Sequence, residues 1–535
     1  MAASIVAITA VVGLQVGPMA MFGSLIAAWD TGQPLRARLR TYAVVGAVFP
    51  VSLGLGVLAG PAPWAAAAVV IAVVLLSVAL YHAVAPSGPG PLNLSFACAL
   101  GAYLGATTDL GGQVVGVTVV SVALTALLTL HDLVRRPHGP EQDAIAAARS
   151  AMADFASGRT EQGDTASAAV HRAWEVLRSA ERRRRPSAAH RAMEDELAVL
   201  NRQLGTRLLE AHYPGDATSP EGWTAVDAVA MPGRPSLGYL LRRAFGRRSL
   251  PTARMAALRN ALAAGIAVSA AELAHLERPY WAVLSATVVL HAGADRTSTT
   301  VRGLHRLAGT LLGVAAVAGV EALHPSRGLQ LVLVILGAWG MNLLLPRNYT
   351  YAVIFATVMA VAANTASAPT SSVATMLTAR VEETLLGVGC ALVVLWTTGR
   401  RHPHRALDRQ FRRTVAALAR VVEHVHAGTA TADPGRAARR ELGFELAAHR
   451  ALLARTSADA PGLAAWQSVE QAVSRLGHHA FAACWHPHSA DAAQTLPHTP
   501  RRLRTLLDTL PTVAPGTVDP HRLATALGGP AQTSA

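Results

Sequence analysis

Two arginines one helical turn apart, Arg302 and Arg306, stand at the start of a long run of small and apolar residues. Residues four apart share one face of a helix, so the two guanidinium groups could hold one carboxylate between paired N–H donors. The same spacing also fits a basic loop that sets membrane topology and binds lipid phosphates. The pair is therefore a candidate substrate-binding site for an anion, and the loop is its alternative.

Charged residues also stand at the start of the last apolar run, where Arg380 and Glu383 are three residues apart and share a helix face. A charge within a membrane helix costs about 2.5 to 3.5 kcal/mol, so it is retained for a function or lies at the interface. We predict that Arg380 binds substrate and that Glu383 takes part in proton coupling. Snorkelling of both side chains to the membrane surface is the alternative.

Four further polar residues lie within or near the ends of apolar runs. Glu272 and His275 share a helix face near the end of one run and are candidates for proton coupling, with an interfacial position as the alternative. Asn342 and Asn364 are candidates for substrate binding. Buried amides can equally tie membrane helices together.

The elements that carry these residues are apolar. Hydrophobic residues make up 51% of the 535-residue chain, charged residues make up 15%, and the mean hydropathy is +0.32. A spanning helix needs about 20 mostly apolar residues. We predict two sets of six spans, at 1–15, 16–29, 41–60, 65–83, 94–109 and 113–133, and at 256–276, 279–293, 304–323, 328–346, 350–366 and 381–399.

The two sets correspond to each other. A basic loop follows the second span of each set, with Arg36 and Arg40 in the first and Arg302 and Arg306 in the second. Six spans per set place these loops on one side of the membrane, and the arginine excess identifies that side as the cytoplasm. The sequence therefore predicts parallel repeats in the inner (plasma) membrane, with both termini cytoplasmic.

The predicted fold is all-α, with a cytoplasmic helical domain after each bundle. The domains are the first transmembrane bundle (1–134), a helical domain (135–250), the second bundle (251–400) and a C-terminal helical region with a loose tail (401–535). The net charge of +14 comes with no base-reading motif, so nucleic acid is not an expected partner.

Sites of other kinds are not expected. Phosphate-binding, hydrolase and dinucleotide motifs are lacking, so we predict a protein that is not an enzyme and needs no cofactor. The residues His478, His479, Cys484, His486 and His488 form a metal-like group, but their spacing matches no common zinc site, and we predict no metal.

Three segments resemble the fusaric acid resistance protein family, also called aromatic acid exporters. They are Arg278-Pro-Tyr-Trp-Ala-Val-Leu-Ser-Ala-Thr-Val-Val-Leu290, Arg302-Gly-Leu-His-Arg-Leu-Ala-Gly-Thr-Leu-Leu-Gly313 and Arg380-Val-Glu-Glu-Thr-Leu-Leu-Gly387. The resemblance implies a membrane transporter or efflux component for aromatic carboxylic acids and related anions.

The expected function is efflux of aromatic or other organic acid anions. A channel-like anion pore and a non-transporting membrane scaffold are the alternatives. Expected partners are the small organic anion and the lipid membrane. The many Gly and Ala positions, which allow close helix approach, also predict a homo-oligomer.

Overall fold

The structure is a computed structural model, and the prediction of an all-α fold is confirmed for the residues that it describes. It describes residues 2–13, 16–29, 32–84, 90–157, 163–180, 187–212, 235–246, 251–276, 279–291, 296–323, 326–345, 347–367, 373–398, 402–456, 466–484, 496–509 and 519–528.

The α-helices in these ranges are α1 (Ala2–Val12), α2 (Met21–Ser24), α3 (Leu35–Ala59), α4 (Pro63–Val84), α5 (Leu92–Thr107), α6 (Gly111–Arg135), α7 (Gly139–Ala156), α8 (Gly163–Ala180), α9 (Ala188–His212), α10 (Leu237–Phe245), α11 (Pro251–Leu273), α12 (Tyr280–Leu290), α13 (Arg296–Glu321), α14 (Arg327–Leu344), α15 (Tyr349–Ser367), α16 (Val373–Thr397), α17 (His402–His426), α18 (Asp433–Thr456), α19 (Trp466–Ala483), α20 (Pro500–Thr509) and α21 (Pro520–Ala526).

These helices form two compact units. Unit 1 comprises Met1–Thr31, Arg38–Arg135 and Arg243–Arg400, and unit 2 comprises Gly32–Ala37, Arg136–Arg242 and Arg401–Ala535. Unit 1 thus joins helices from the two apolar halves of the chain.

Unit 1 has the helices of a multi-pass membrane protein. Five of them, α3, α4, α6, α11 and α13, are long and apolar enough to cross a bilayer. Large apolar side chains on their outer faces are exposed, such as Val44 and Leu127, as expected of surfaces that contact lipid. Helix α16 is equally long, but it carries three charged residues, Arg380, Glu382 and Glu383.

The predicted span 16–29 is not one continuous helix. It consists of a 3-10 turn at Gly17–Ala20, the short helix α2 and a second 3-10 turn at Leu25–Ala28. Pro18 lies in the first of these turns, where its fixed φ angle suits a helix start and its missing N–H breaks no bond. The parallel-repeat arrangement stays a prediction.

Helix α12 lies at the centre of unit 1, and all eleven of its residues are buried. It packs against α5, α11, α13 and α16. Helix α16 approaches it closely at Gly387, where a Cβ atom would lie 2.2 Å from the carbonyl oxygen of Ala282. This close packing brings side chains of α12 and α16 together in the interior.

Unit 2 is a helical bundle with its own hydrophobic core, to which α7, α8, α9 and α17 to α21 contribute. A buried carboxylate on α18, Glu445, is held within this core. Tyr239 donates to it from its hydroxyl at 2.7 Å, and Gln410 donates from Nε2 at 2.7 Å. Neutral donors therefore satisfy this acidic group.

Candidate functional site

The guanidinium group of Arg380 is buried in unit 1 and stacks on an indole ring. Its Cζ atom lies 3.4 Å from the centroid of the Trp281 ring, and the residue is 2% exposed. Its Nε and Nη1 atoms have no hydrogen-bond partner. A cation over an aromatic face gains about 2 kcal/mol when desolvated. The ring thus holds the cation in place and leaves N–H donors for another group.

A second buried guanidinium belongs to Arg306 on α13. This residue is 4% exposed, and its Nε and Nη2 atoms lack partners. The buried face of α13 otherwise consists of small residues and one valine, Val317. At Gly309 on this face, a Cβ atom would lie 2.7 Å from the Thr350 carbonyl oxygen. Small residues therefore let α13 pack closely enough to keep Arg306 in the interior.

Arg380 interacts with both a second arginine and a buried carboxylate. Arg380 interacts electrostatically with Arg306 and with Glu383, which lies one turn further along α16 and is 0% exposed. Charges separated from water cost several kcal/mol each unless they are compensated. Among the described residues of this cluster, two buried cations, Arg306 and Arg380, accompany one buried carboxylate, so these residues carry an excess of positive charge.

A third arginine borders the cluster. Arg302 is half-buried, and its Cζ atom lies 5.1 Å from the centroid of the Tyr349 ring. Tyr349 interacts electrostatically with Arg302, Arg306 and Arg380. The ring of Tyr349 thus links the partly exposed arginine to the two buried ones.

Aromatic rings from both halves of the chain pack against one another beside Arg380. The rings of Tyr280 and Trp281 lie 4.9 Å apart between centroids. Phe96 lies 5.7 Å from Trp281, Tyr103 lies 5.0 Å from Tyr280, and Phe22 lies 5.4 Å from Phe96. The second half thus supplies the charges, and the first half supplies part of the aromatic wall.

The structure brings together three of the residues singled out from sequence, Arg306, Arg380 and Glu383, with Arg302 at the edge. Asn342 is half-buried on α14, where its Nδ2 donates to the Ala338 carbonyl at 2.8 Å. Asn364 belongs to α15, but its side chain lies outside the described residues.

Glu272 and His275 are exposed at the end of α11, outside the buried cluster. The helix ends because His275 adopts a left-handed conformation with φ of 53°, and the Leu276 N–H donates back to the Ala271 carbonyl at 2.9 Å. This termination places both side chains at the surface.

The first-half pair Arg36 and Arg40 forms no counterpart of this cluster, since both residues are exposed. Arg38, which sequence analysis passed over, is the buried one, and its Nη1 donates to the Thr129 carbonyl at 3.3 Å. The aromatic residues around Arg380 were also missed. Their signal was weak, because aromatic residues in apolar helices are common wherever helices face lipid or each other.

The metal-like group falls partly outside the described residues, which include neither His486 nor His488. Among the residues that are described, no three His, Cys, Asp or Glu side chains are grouped so that they could hold a metal ion.

Residues 266–394 match the sequence model of a family described as fusaric acid resistance protein-like. This segment includes Arg306, Arg380 and Glu383, and it confirms over its length the family resemblance predicted from the sequence. Neither the curated proteins nor the solved structures contain a significant match to the chain.

Proposed function

We propose that this protein transports small organic anions across the membrane, with aromatic carboxylates as preferred substrates and export as the direction. The observation that carries the proposal is the buried excess of positive charge, Arg306 and Arg380 against Glu383. An uncompensated charge within a membrane bundle is costly, so its retention favours a site that an anion occupies during function.

The free donors suit a carboxylate. Nε and Nη2 form one edge of the Arg306 guanidinium, and both lack acceptors. Two parallel N–H groups on one edge match the two oxygens of a carboxylate, which makes the bond bidentate. Arg380, which interacts electrostatically with Arg306, offers Nε and Nη1 as two further donors without acceptors. A single carboxylate between them would satisfy donors of both arginines.

The aromatic wall supports a substrate with a ring. Trp281 and Tyr280 interact with Arg380, and Phe96 and Tyr103 contact these two rings. Offset or edge-to-face contacts between rings add about 0.5 to 1.5 kcal/mol to the burial of apolar area. The family description, which names resistance to an acid, agrees with this substrate class.

The membrane potential can drive the export of an anion without a coupled ion. With a negative cell interior, moving one negative charge outward releases about 2.3 kcal/mol per 100 mV.

Because Arg306 and Arg380 are almost completely buried, an anion reaches them when helices move, which favours alternating access over a permanently open pore. In this proposal both termini are cytoplasmic and the membrane is the plasma membrane.

The test is efflux of labelled benzoate from proteoliposomes under an imposed membrane potential. We expect saturable efflux by the wild type, at least a tenfold loss in Arg306→Gln and Arg380→Gln, and normal rates in Arg347→Gln, which removes an exposed arginine. Flux that stays linear with benzoate concentration would favour a pore. Wild-type protein that moves no anion at any potential would contradict the proposal.

A further inference from the structure

We propose that Glu383 is the resident counter-charge of the anion site, and that protonation of Glu383 and binding of the substrate anion strengthen each other. The inference rests on the proposed function, because it concerns the same arginines. It assigns a direction to the coupling between protons and substrate, which the proposed function leaves open.

The position of Glu383 carries the inference. Glu383 is the one buried carboxylate among the described residues of unit 1, and its side chain is 0% exposed. It lies on α16 one turn from Arg380 and interacts with it electrostatically. Arg306 on α13 joins the same cluster. Ionised Glu383 therefore compensates part of the charge that would otherwise attract a substrate anion.

The other groups that interact electrostatically with Arg380 include one cation and two phenols, which are Arg306 on α13, Tyr280 on α12 and Tyr349 on α15. Arg302 on α13 interacts in turn with Tyr349. His291 at the end of α12 interacts electrostatically with Arg302. Protonation of His291 would add positive charge, as protonation of Glu383 would remove negative charge. Both changes make the site more attractive to an anion.

A substrate carboxylate bound between Arg306 and Arg380 would lie close to a second carboxylate. Two like charges in a poorly solvated site repel each other, and the repulsion disappears when one of them is protonated. Neutral Glu383 can in addition donate a hydrogen bond from its hydroxyl to a substrate oxygen. Because coupling between two binding events is reciprocal, the bound anion must raise the affinity of Glu383 for a proton by the same factor.

This direction of coupling excludes one use of the site. Exchange of a proton for a substrate needs the two to compete, whereas here they bind together. The anion therefore crosses either alone, driven by the membrane potential, or with a proton as the neutral pair.

The test is the affinity of purified full-length protein for benzoate between pH 6.0 and 8.5. Benzoate stays ionised in this range because an ordinary carboxyl group titrates near pH 4. We expect Glu383→Gln to bind benzoate about tenfold or more tightly than the wild type at pH 8.5, with a smaller dependence on pH than the wild type shows. The matched control is Glu382→Gln, which neutralises the exposed neighbour on the same helix and should bind as the wild type does.

A second measurement uses the wild type alone and does not depend on the folding of a variant. Addition of benzoate to weakly buffered protein should cause uptake of protons at one or more pH values in this range. Release of protons, or no change throughout, would overturn the inference, as would equal or weaker binding by Glu383→Gln at pH 8.5. Failure of the proposed function looks different, because then neither the wild type nor Glu382→Gln binds benzoate at any pH.

Discussion

The Cζ atom of Arg380 lies 3.4 Å from the centroid of the Trp281 ring, so a residue of α16 is held by a residue of α12. Both residues lie within the segment that matches the family model. The contact fixes the direction of a buried cation whose Nε and Nη1 donors have no hydrogen-bond partner. Orientation of Arg380 is therefore a property of helix packing, and changes to that packing should alter anion binding.

The indole ring should matter for substrate affinity. Replacing it in Trp281→Leu removes a desolvated cation–π contact, worth about 2 kcal/mol, and frees Arg380 to adopt other rotamers. We expect benzoate binding about tenfold or more weaker, measured by titration calorimetry.

Trp396 provides the matched control for that substitution. It contacts Arg296 at 5.4 Å, but the ring is half exposed, and an exposed contact of this kind is worth about 0.5 to 1 kcal/mol. Trp396→Leu should therefore leave benzoate affinity within about twofold of the wild type. Equal losses in the two variants would show that the position of Trp281 has no special role.

Removal of one buried cation should stabilise the protein while abolishing transport. In Arg306→Met, the opposite charges of Arg380 and Glu383 remain and cancel each other. The charge that is removed is the one without its own counter-charge, and an apolar side chain takes its place. Replacement of buried ionic groups by apolar ones is often neutral or stabilising by about 1 to 4 kcal/mol. We expect an unchanged or higher Tm in thermal unfolding and at least tenfold slower benzoate efflux. A Tm lowered by several degrees would indicate that Arg306 is already compensated.

The glycine at the crossing of α12 and α16 should be essential. In Gly387→Ala, the new methyl group would lie 2.2 Å from the Ala282 carbonyl oxygen, which forces the helices apart. Such overpacking costs about 1 to 3 kcal/mol, so both Tm and benzoate affinity should fall.

Gly389 lies on the same helix two residues later, and a Cβ atom there meets nothing within 4 Å. Gly389→Ala should keep its affinity and gain up to about 1 kcal/mol of stability, because alanine favours helix formation. Loss of benzoate binding in this variant would argue against local packing as the cause of the Gly387→Ala effect.

The helices of the membrane unit could largely be predicted from apolar periodicity, and the i, i+3 spacing put Arg380 and Glu383 on one face. The spacing could not tell whether that face is buried. Burial follows from close approach at Gly387 and Gly309, and this depends on contacts between distant segments. The contact between Trp281 and Arg380 also joins distant segments of the chain, so the sequence pattern could not predict it.

The register of α3 shows the same dependence on packing. Arg36 and Arg40 are exposed, and Arg38 between them is buried. A sequence pattern fixes which residues share a face, and the packing of the neighbouring helices decides which face is inside.

Acid should weaken unit 2. Burial, with a smaller contribution from Arg450, lowers the pKa of His449 to about 4 from its ordinary value near 6.5, and neither ring nitrogen has a hydrogen-bond partner. Because the unfolded chain binds the proton more readily, stability is complete above pH 6.5 and falls as the pH approaches 4. The loss from this residue reaches about 3 kcal/mol.

Hydrogen exchange of α18 peptides at pH 7.5 and 5.0, corrected for the intrinsic rate, measures this loss. His449→Leu should reduce the difference between the two pH values. His426→Gln, which changes an exposed histidine on α17, should retain it. Identical protection of wild-type α18 at both pH values would contradict the prediction.

Arg306 and Arg380 together should form an anion-binding site. Equilibrium binding of radiolabelled benzoate to purified wild type, Arg306→Gln, Arg380→Gln and Arg347→Gln tests it most directly. We expect one saturable site per chain in the wild type and in Arg347→Gln, and at least tenfold weaker binding in each of the other two variants. Binding of equal strength in all four proteins would contradict it.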